Sequence, residues 1–218
     1  MLKTLTSIAV TLTLFATSVA QDMRELASRI RPSVVEIQVQ ATPKDKYMRY
    51  GTGWLYGNQH TVVTAAHVVE GKINGVKCVF DDGQSVQGVL VKSFTLDDVA
   101  VIHLDKEKVV NAARPLLRLA AKEPPVGAFL GFYGYPLDYP MTWRHGYVAH
   151  YTTLVGGGTQ QRRMGYEVLG GGGFSGSPVF NEFGDVIGMH VQRDTRLPGF
   201  NFAVPLGSLM VAFKALGI

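Results

Sequence analysis

From residue 33 onward, short runs of apolar and β-branched residues alternate with turn residues, and the runs are too short for helices. The segments 34–39, 53–56, 61–64, 76–80, 86–91 and 99–104 are rich in Val, Ile, Thr, Phe and Tyr, side chains that suit a pleated, half-buried surface. Between two of them stands Asp81-Asp82-Gly83, a hairpin signal because glycine accepts the positive φ of a tight turn. A stretch from 104 to 127 containing Pro115, Pro124 and Pro125 interrupts the pattern and is long enough to pass from one lobe to another. A second β series follows at 128–133, 147–151, 166–169, 179–181, 186–191 and 202–204. Leu209, Val211, Ala212, Phe213 and Leu216 then recur at helical spacing, predicting a closing helix over 208–216 with Ser208 as its cap and a stop near Gly217. A short helix at 23–30 is the other helical signal. The expected class is all-β, with an antiparallel N-terminal barrel at about 33–110 and a C-terminal barrel at about 125–207.

The first twenty residues follow another rule. Lys3 gives a positive start, residues 5–17 form an apolar run broken by threonines, and Ser18-Val19-Ala20 offers small residues for cleavage, the layout of a signal peptide. Residues 1–20 are therefore expected to be removed, leaving 21–218 as an exported chain, periplasmic or extracellular, without membrane attachment. A retained anchor is the alternative reading. Its run falls short of the roughly 20 apolar residues that span a bilayer, and Asp22, Arg24 and Glu25 follow at once.

Composition narrows the classes further. With 46% hydrophobic and 17% charged residues over 218 positions, the chain buries a core and is not disordered. Its formal charge of +4 is mild and scattered, and no stripe of basic residues interleaved with aromatics marks a nucleic-acid groove. The single cysteine, Cys78, excludes an internal disulfide and has no basic partner in sequence, so it is read as a small buried strand residue.

Three local patterns carry chemistry. In Gly172-Gly173-Phe174-Ser175-Gly176-Ser177-Pro178 the glycines permit a tight turn on which a serine hydroxyl projects while backbone N–H groups converge beside it; an ordinary glycine-rich loop reads the same. In Thr64-Ala65-Ala66-His67-Val68-Val69 small residues leave room around an imidazole at the end of a β run, the setting of a general base. Asp98 opens the next strand, where a carboxylate can orient that imidazole, and Asp97 is the near alternative. His60, His103, His145 and His150 join no cluster with metal-ligand spacing. Neither a metal nor a cofactor is expected.

The order His, Asp, Ser and the strings TAAHVV, DDVAVI and GGFSGSPVFN resemble the trypsin-like serine peptidases, from about Val34 to the C-terminus. DDGQSVQGVLVKSFTLDDVAVIHL and GFNFAVP are similar to segments of the HtrA/Deg group, and FSGSPVFNEFGDVIGMH is closer to bacterial glutamyl endopeptidases. The resemblance implies two antiparallel six-stranded β-barrels with the active site between them. It implies Ser175 as nucleophile, His67 as base, Asp98 as its orienting acid, and the N–H groups of Gly173 and Ser175 as the oxyanion hole. Protein or peptide would be the substrate, and oligomeric state is left open. Phe174 and Ser177 depart from the usual nucleophile loop, and no segment is left for the PDZ module of most HtrA proteins.

The substrate pocket implied by the same resemblance is bounded by Leu169, Gly170, His190, Val191 and Phe202. No carboxylate stands there, which argues against Lys or Arg before the cut bond. His190 matches the histidine by which glutamyl endopeptidases hold a carboxylate, whereas Gly170 lacks their hydroxyl and Phe202 suggests a shallow apolar cavity. Small aliphatic residues are expected ahead of glutamate. The rival from another class is a catalytically silent binding module on the same scaffold.

Overall fold

The computed structural model describes residues 23–218 except 72, 110–113, 138 and 157. The expected signal peptide lies outside the described residues. Helix α1, Met23–Ile30, precedes β1 Val34–Gln40, β2 Met48–Leu55 and β3 Thr61–Ala65. After the four-residue helix α2, Ala66–Val69, come β4 Gly75–Phe80, β5 Ser85–Phe94 and β6 Val99–Leu104. The second half holds β7 Phe129–Gly134, β8 Thr142–Gly156, β9 Thr159–Glu167, β10 Pro178–Phe180, β11 Val186–Arg193 and β12 Phe200–Pro205. Helix α3, Leu206–Leu216, closes the chain.

Both halves are closed six-stranded antiparallel barrels, in the order β1-β2-β3-β6-β5-β4 and β10-β11-β12-β9-β8-β7. Strand positions follow the alternation in sequence: Val76, Cys78 and Phe80 face inward on β4 while Lys77 and Val79 are half-buried. The Asp81-Asp82-Gly83 turn forms as expected, with Gly83 at φ 83 donating its N–H to Phe80 O at 3.0 Å. The linker is stitched to both barrels, Leu117 N–H donating to Leu55 O and Ala120 N–H to Val186 O. Helix α3 returns to the first barrel, where Phe213 packs on Trp54 and Tyr56 at centroid distances of 6.1 and 4.7 Å.

Three boundaries differ from the sequence expectation. The closing helix begins at Leu206 with Pro205 at the capping position, so Ser208 is its third residue and donates to the Asp97 carboxylate. Strand β2 starts at Met48, not at 53. Strands β8 and β9 pair from Val148↔Tyr166 out to Gly156↔Thr159, far beyond the expected 147–151 and 166–169. The outer half of β9 is largely polar, with Gln160, Gln161 and Arg162, and that of β8 mixes Thr152 and Thr153 with Leu154 and Val155, so cross-strand hydrogen bonds and not an apolar stripe define them.

Candidate active site

Residues Ala65 and Val99 pair at one end of the antiparallel β3–β6 ladder. His67, two residues past β3, and Asp98, one before β6, are therefore brought together by register alone. Asp98 Oδ2 lies 2.7 Å from His67 Nδ1 and Oδ1 accepts the His67 backbone N–H at 2.9 Å. The Asp98 carbonyl accepts the Ala66 N–H at 3.1 Å. This grip requires Asp98 at φ 64, the sole positive φ of a non-glycine residue among those described, a conformation aspartate tolerates better than bulkier residues. The His67 side chain is 48% exposed and that of Asp98 20%. The carboxylate fixes the tautomer with the proton on Nδ1 and leaves Nε2 as the basic nitrogen.

Asp97 faces elsewhere. Its carboxylate lies 3.7 Å from the buried Arg163 guanidinium and accepts from Ser208. Burial raises the Asp97 carboxyl, against the pull of Arg163 and Ser208. Burial likewise lowers Arg163, against the pull of Asp97 and Asp98. Gln161 Nε2 adds a bond to Leu96 O at 2.8 Å. The β8–β9 hairpin of the second barrel thus braces the 95–98 loop of the first.

The nucleophile loop connects β9 to β10 and is held from both barrels. Thr52 of β2 donates its N–H to Ser175 O and its hydroxyl to Gly173 O, each at 2.8 Å, and its hydroxyl accepts the Tyr135 N–H at 2.9 Å. Gly173 and Gly176 stand at φ 93 and 88, and a Cβ at either would lie 2.2 Å from Tyr135 O or 2.0 Å from Thr52 O. Only glycine fits these two positions. Among the described residues the N–H groups of Gly173 and Ser175 donate to no partner, so both donors are left unpaired. Ser175 Oγ makes one long bond, 3.4 Å to Val191 O, and none to His67.

The two departures in the loop have a structural account. Phe174 is buried edge-on against Phe132 at 5.3 Å, and Ser177 is fully buried. A Cβ at Gly134 would lie 2.3 Å from Ser177 Oγ and 2.4 Å from the Phe174 ring, so a glycine on β7 makes room for both.

The five expected pocket residues separate. Leu169 and Gly170 line a cavity of about 240 Å³ together with Arg193, Asp194, Thr195, Pro198, Gly199 and Asn201. His190, Val191 and Phe202 do not line it. His190 is buried with Nδ1 against the Tyr166 hydroxyl and its ring stacked on Phe132 at 5.6 Å. Burial, and secondarily His67, pushes its imidazole down to about 3. Phe202 is buried against Phe200 and His150. The missed wall residue Asn201 was detectable as the lone polar side chain inside the apolar run of β12; its amide donates to Val168 O and Gly199 O. Asp194, also missed, belongs to the pocket, but Arg196 grips it with Nε, Nη2 and its backbone N–H. Those bonds hold the Asp194 carboxyl at about 2. Cys78 is buried, with its thiol pushed up to about 12 by burial. Among the described residues no three His, Cys, Asp or Glu side chains gather as metal ligands.

A family model described as "Trypsin-like peptidase domain" matches residues 51–189. A "Probable periplasmic serine endoprotease DegP-like" of Halomonas elongata is 29% identical over 164 residues, 73% of this chain and 33% of that protein. Human "Serine protease HTRA4" is 29% identical over 192 residues, 83% of this chain and 38% of that protein. The "Putative protease Do-like 14" of Arabidopsis thaliana is 27% identical, with 84% of this chain and 45% of that protein covered. The chain thus spans between a third and under half of these relatives' length. Among solved structures, a protease from M. tuberculosis in its active form superposes with a TM-score of 0.77 at 23% identity, covering 88% of this chain and 84% of that one.

Proposed function

Because the chain belongs to the trypsin-like peptidase family, we propose that it is an exported serine endopeptidase with Ser175, His67 and Asp98 as its catalytic triad. The observation that carries this reading is the double hold of Asp98 on His67, on ring Nδ1 and on the backbone N–H, which fixes where the imidazole sits and distinguishes its two ring nitrogens. With Nδ1–H tied to the carboxylate, Nε2 accepts the Ser175 proton as Oγ bonds to the substrate carbonyl carbon. The carbonyl oxygen gains negative charge facing the N–H groups of Gly173 and Ser175. His67 then gives the proton to the leaving amine nitrogen as the C–N bond breaks, and water repeats the cycle on the acyl-enzyme.

Ser175 Oγ starts from the Val191 carbonyl, so a rotation about its Cα–Cβ bond precedes attack; such bonds tighten when substrate arrives. Export is supported by the signal-like residues 1–20 and by relatives named periplasmic. N-terminal sequencing of the exported form should begin near Gln21.

Covalent labelling with a fluorophosphonate tests the nucleophile. Wild type should label and turn over a protein substrate, and Ser175→Ala should do neither. Equal labelling of both would remove Ser175 from the role. No labelling and no proteolysis in wild type would favour the binding-module reading.

A further inference from the structure

The residues that line the cavity bounded by Leu169 and Gly170 carry an unequal set of charges. Arg193 ends β11 and pairs directly with Asn201 of β12. Opposed residues in an antiparallel ladder project from the same face, and Asn201, whose amide donates to Val168 O, is one of the residues lining the cavity. Arg193 leaves the sheet on that face. Among the described residues its guanidinium has neither an ion pair nor a hydrogen bond. The neighbouring Asp194 carboxylate, the cavity's one anionic group, is consumed by Arg196 at 2.8 Å. Gly170 adds no side chain to fill the space, and Thr195 contributes a hydroxyl at the rim.

The position suits a substrate side chain. Val191, whose carbonyl accepts from Ser175 Oγ, lies two residues before Arg193 on the same strand, roughly 7 Å at the rise of a β-strand. A cation with no partner at the edge of a concave cavity attracts an anion and repels Lys and Arg, and guanidinium bonds a carboxylate through two parallel N–H groups.

We propose that this cavity receives the residue before the cut bond and that Arg193 selects an acidic side chain there, with glutamate preferred because it spans the cavity further than aspartate. This rests on the serine endopeptidase reading. It reverses the expected rank of aliphatic over acidic residues and assigns selection to Arg193, since His190 is buried away from the cavity and neutral.

The experiment uses the full chain with a peptide library varied at that one position, rates being normalised to the competent fraction from fluorophosphonate labelling. Wild type should cut after Glu roughly ten- to a hundred-fold faster than after Ala or Val. Arg193→Ala should collapse that ratio toward one, and Arg193→Glu should shift the preference toward Lys and Arg. Dominant cleavage after Val, Ala or Leu in wild type, or a Glu preference unchanged in Arg193→Ala, would overturn the proposal. In a Ser175→Ala background, otherwise identical peptides ending in Glu or Gln are compared by fluorescence anisotropy. Tighter binding of the Glu peptide, lost with Arg193→Ala, supports the cavity assignment even if wild type never turns over. Equal binding of the two peptides overturns it, whatever the outcome for the enzyme reading.

Discussion

His67 and His190 are the same side chain in opposite surroundings. His67 stands half-exposed past the end of β3 with one nitrogen bonded to a carboxylate. His190 lies on β11 with 2% of its surface exposed, one nitrogen against a phenol and its ring on Phe132. The first environment stabilises an imidazolium when it forms, because an anion is already bonded to it. The second penalises that cation, because burial strips its solvation and no carboxylate is bonded to it. The proposed base and the packing element thus differ in what Nδ1 faces, a carboxylate in one and a phenol in the other.

The sharpest way to break this contrast is to remove each ring in turn. His67→Ala should lower kcat by about 10⁴-fold or more while leaving the thermal midpoint near that of wild type. His190→Ala should do the reverse, costing about 2–4 kcal/mol of stability for the cavity and the stranded Tyr166 hydroxyl, with turnover retained well below the melting range. Calorimetry beside steady-state kinetics decides. A His67→Ala protein that fails to fold, or a His190→Ala protein that is inert at an unchanged midpoint, would exchange the two roles.

Next in size is the choice between neighbouring carboxylates. Asp98→Asn should reduce kcat about 10⁴-fold at neutral pH by favouring the wrong tautomer of His67. Asp97→Asn should cost roughly tenfold or less, because it loosens the Arg163 brace behind Asp98 and touches neither His67 nor substrate. Comparable losses in the two variants would mean that the brace, and not the Nδ1 contact, decides activity.

The smallest effect is on acid stability. His190 titrates near 3 in the fold and at about 6.5 when unfolded. Between these values the unfolded chain binds a proton that the native chain refuses. This contribution is fully present above about 6.5 and is lost as the pH falls toward 3. It amounts to about 2 kcal/mol lost by pH 5. Urea unfolding at pH 7 and pH 5 should show His190→Phe losing less over that interval than wild type. Identical losses would show that the native His190 accepts a proton.

Much of this was legible in the sequence wherever function sits next to a local pattern. Strands β1, β3, β4, β6 and β11 follow their apolar runs, and His67, Asp98 and Ser175 each lie at a strand end or a glycine turn that names itself. Of the cavity only Leu169 and Gly170 were legible, because its other walls come from segments that meet them only when the second barrel closes. A β-bulge between His190 and Gln192 matters most. Regular alternation from His190↔Ala203 would set Gln192 opposite Asn201, whereas the extra residue sets Arg193 there and re-aims the strand. Counting by twos from His190 therefore gives the wrong wall residue, and the buried partner Tyr166 that holds His190 inward lies 24 positions away. The outer halves of β8 and β9 were missed because their polar and apolar residues do not alternate as a strand with one buried face would.

Thr52 sets the order in which the molecule can mature. Each barrel closes on its own strand ladders, but the loop carrying Ser175 takes its bonds to Gly173 O, Ser175 O and Tyr135 N–H from a residue of the other barrel. Those bonds join residues up to 123 positions apart and require both halves to be in contact, the kind of distant pairing that slows folding. During refolding, native strand content should therefore return before the capacity to form an acyl-enzyme. The interval between the two signals is the lifetime of a species that has both barrels and no working nucleophile. On the proposed triad, competence to form an acyl-enzyme would then be gained only after both barrels are in place.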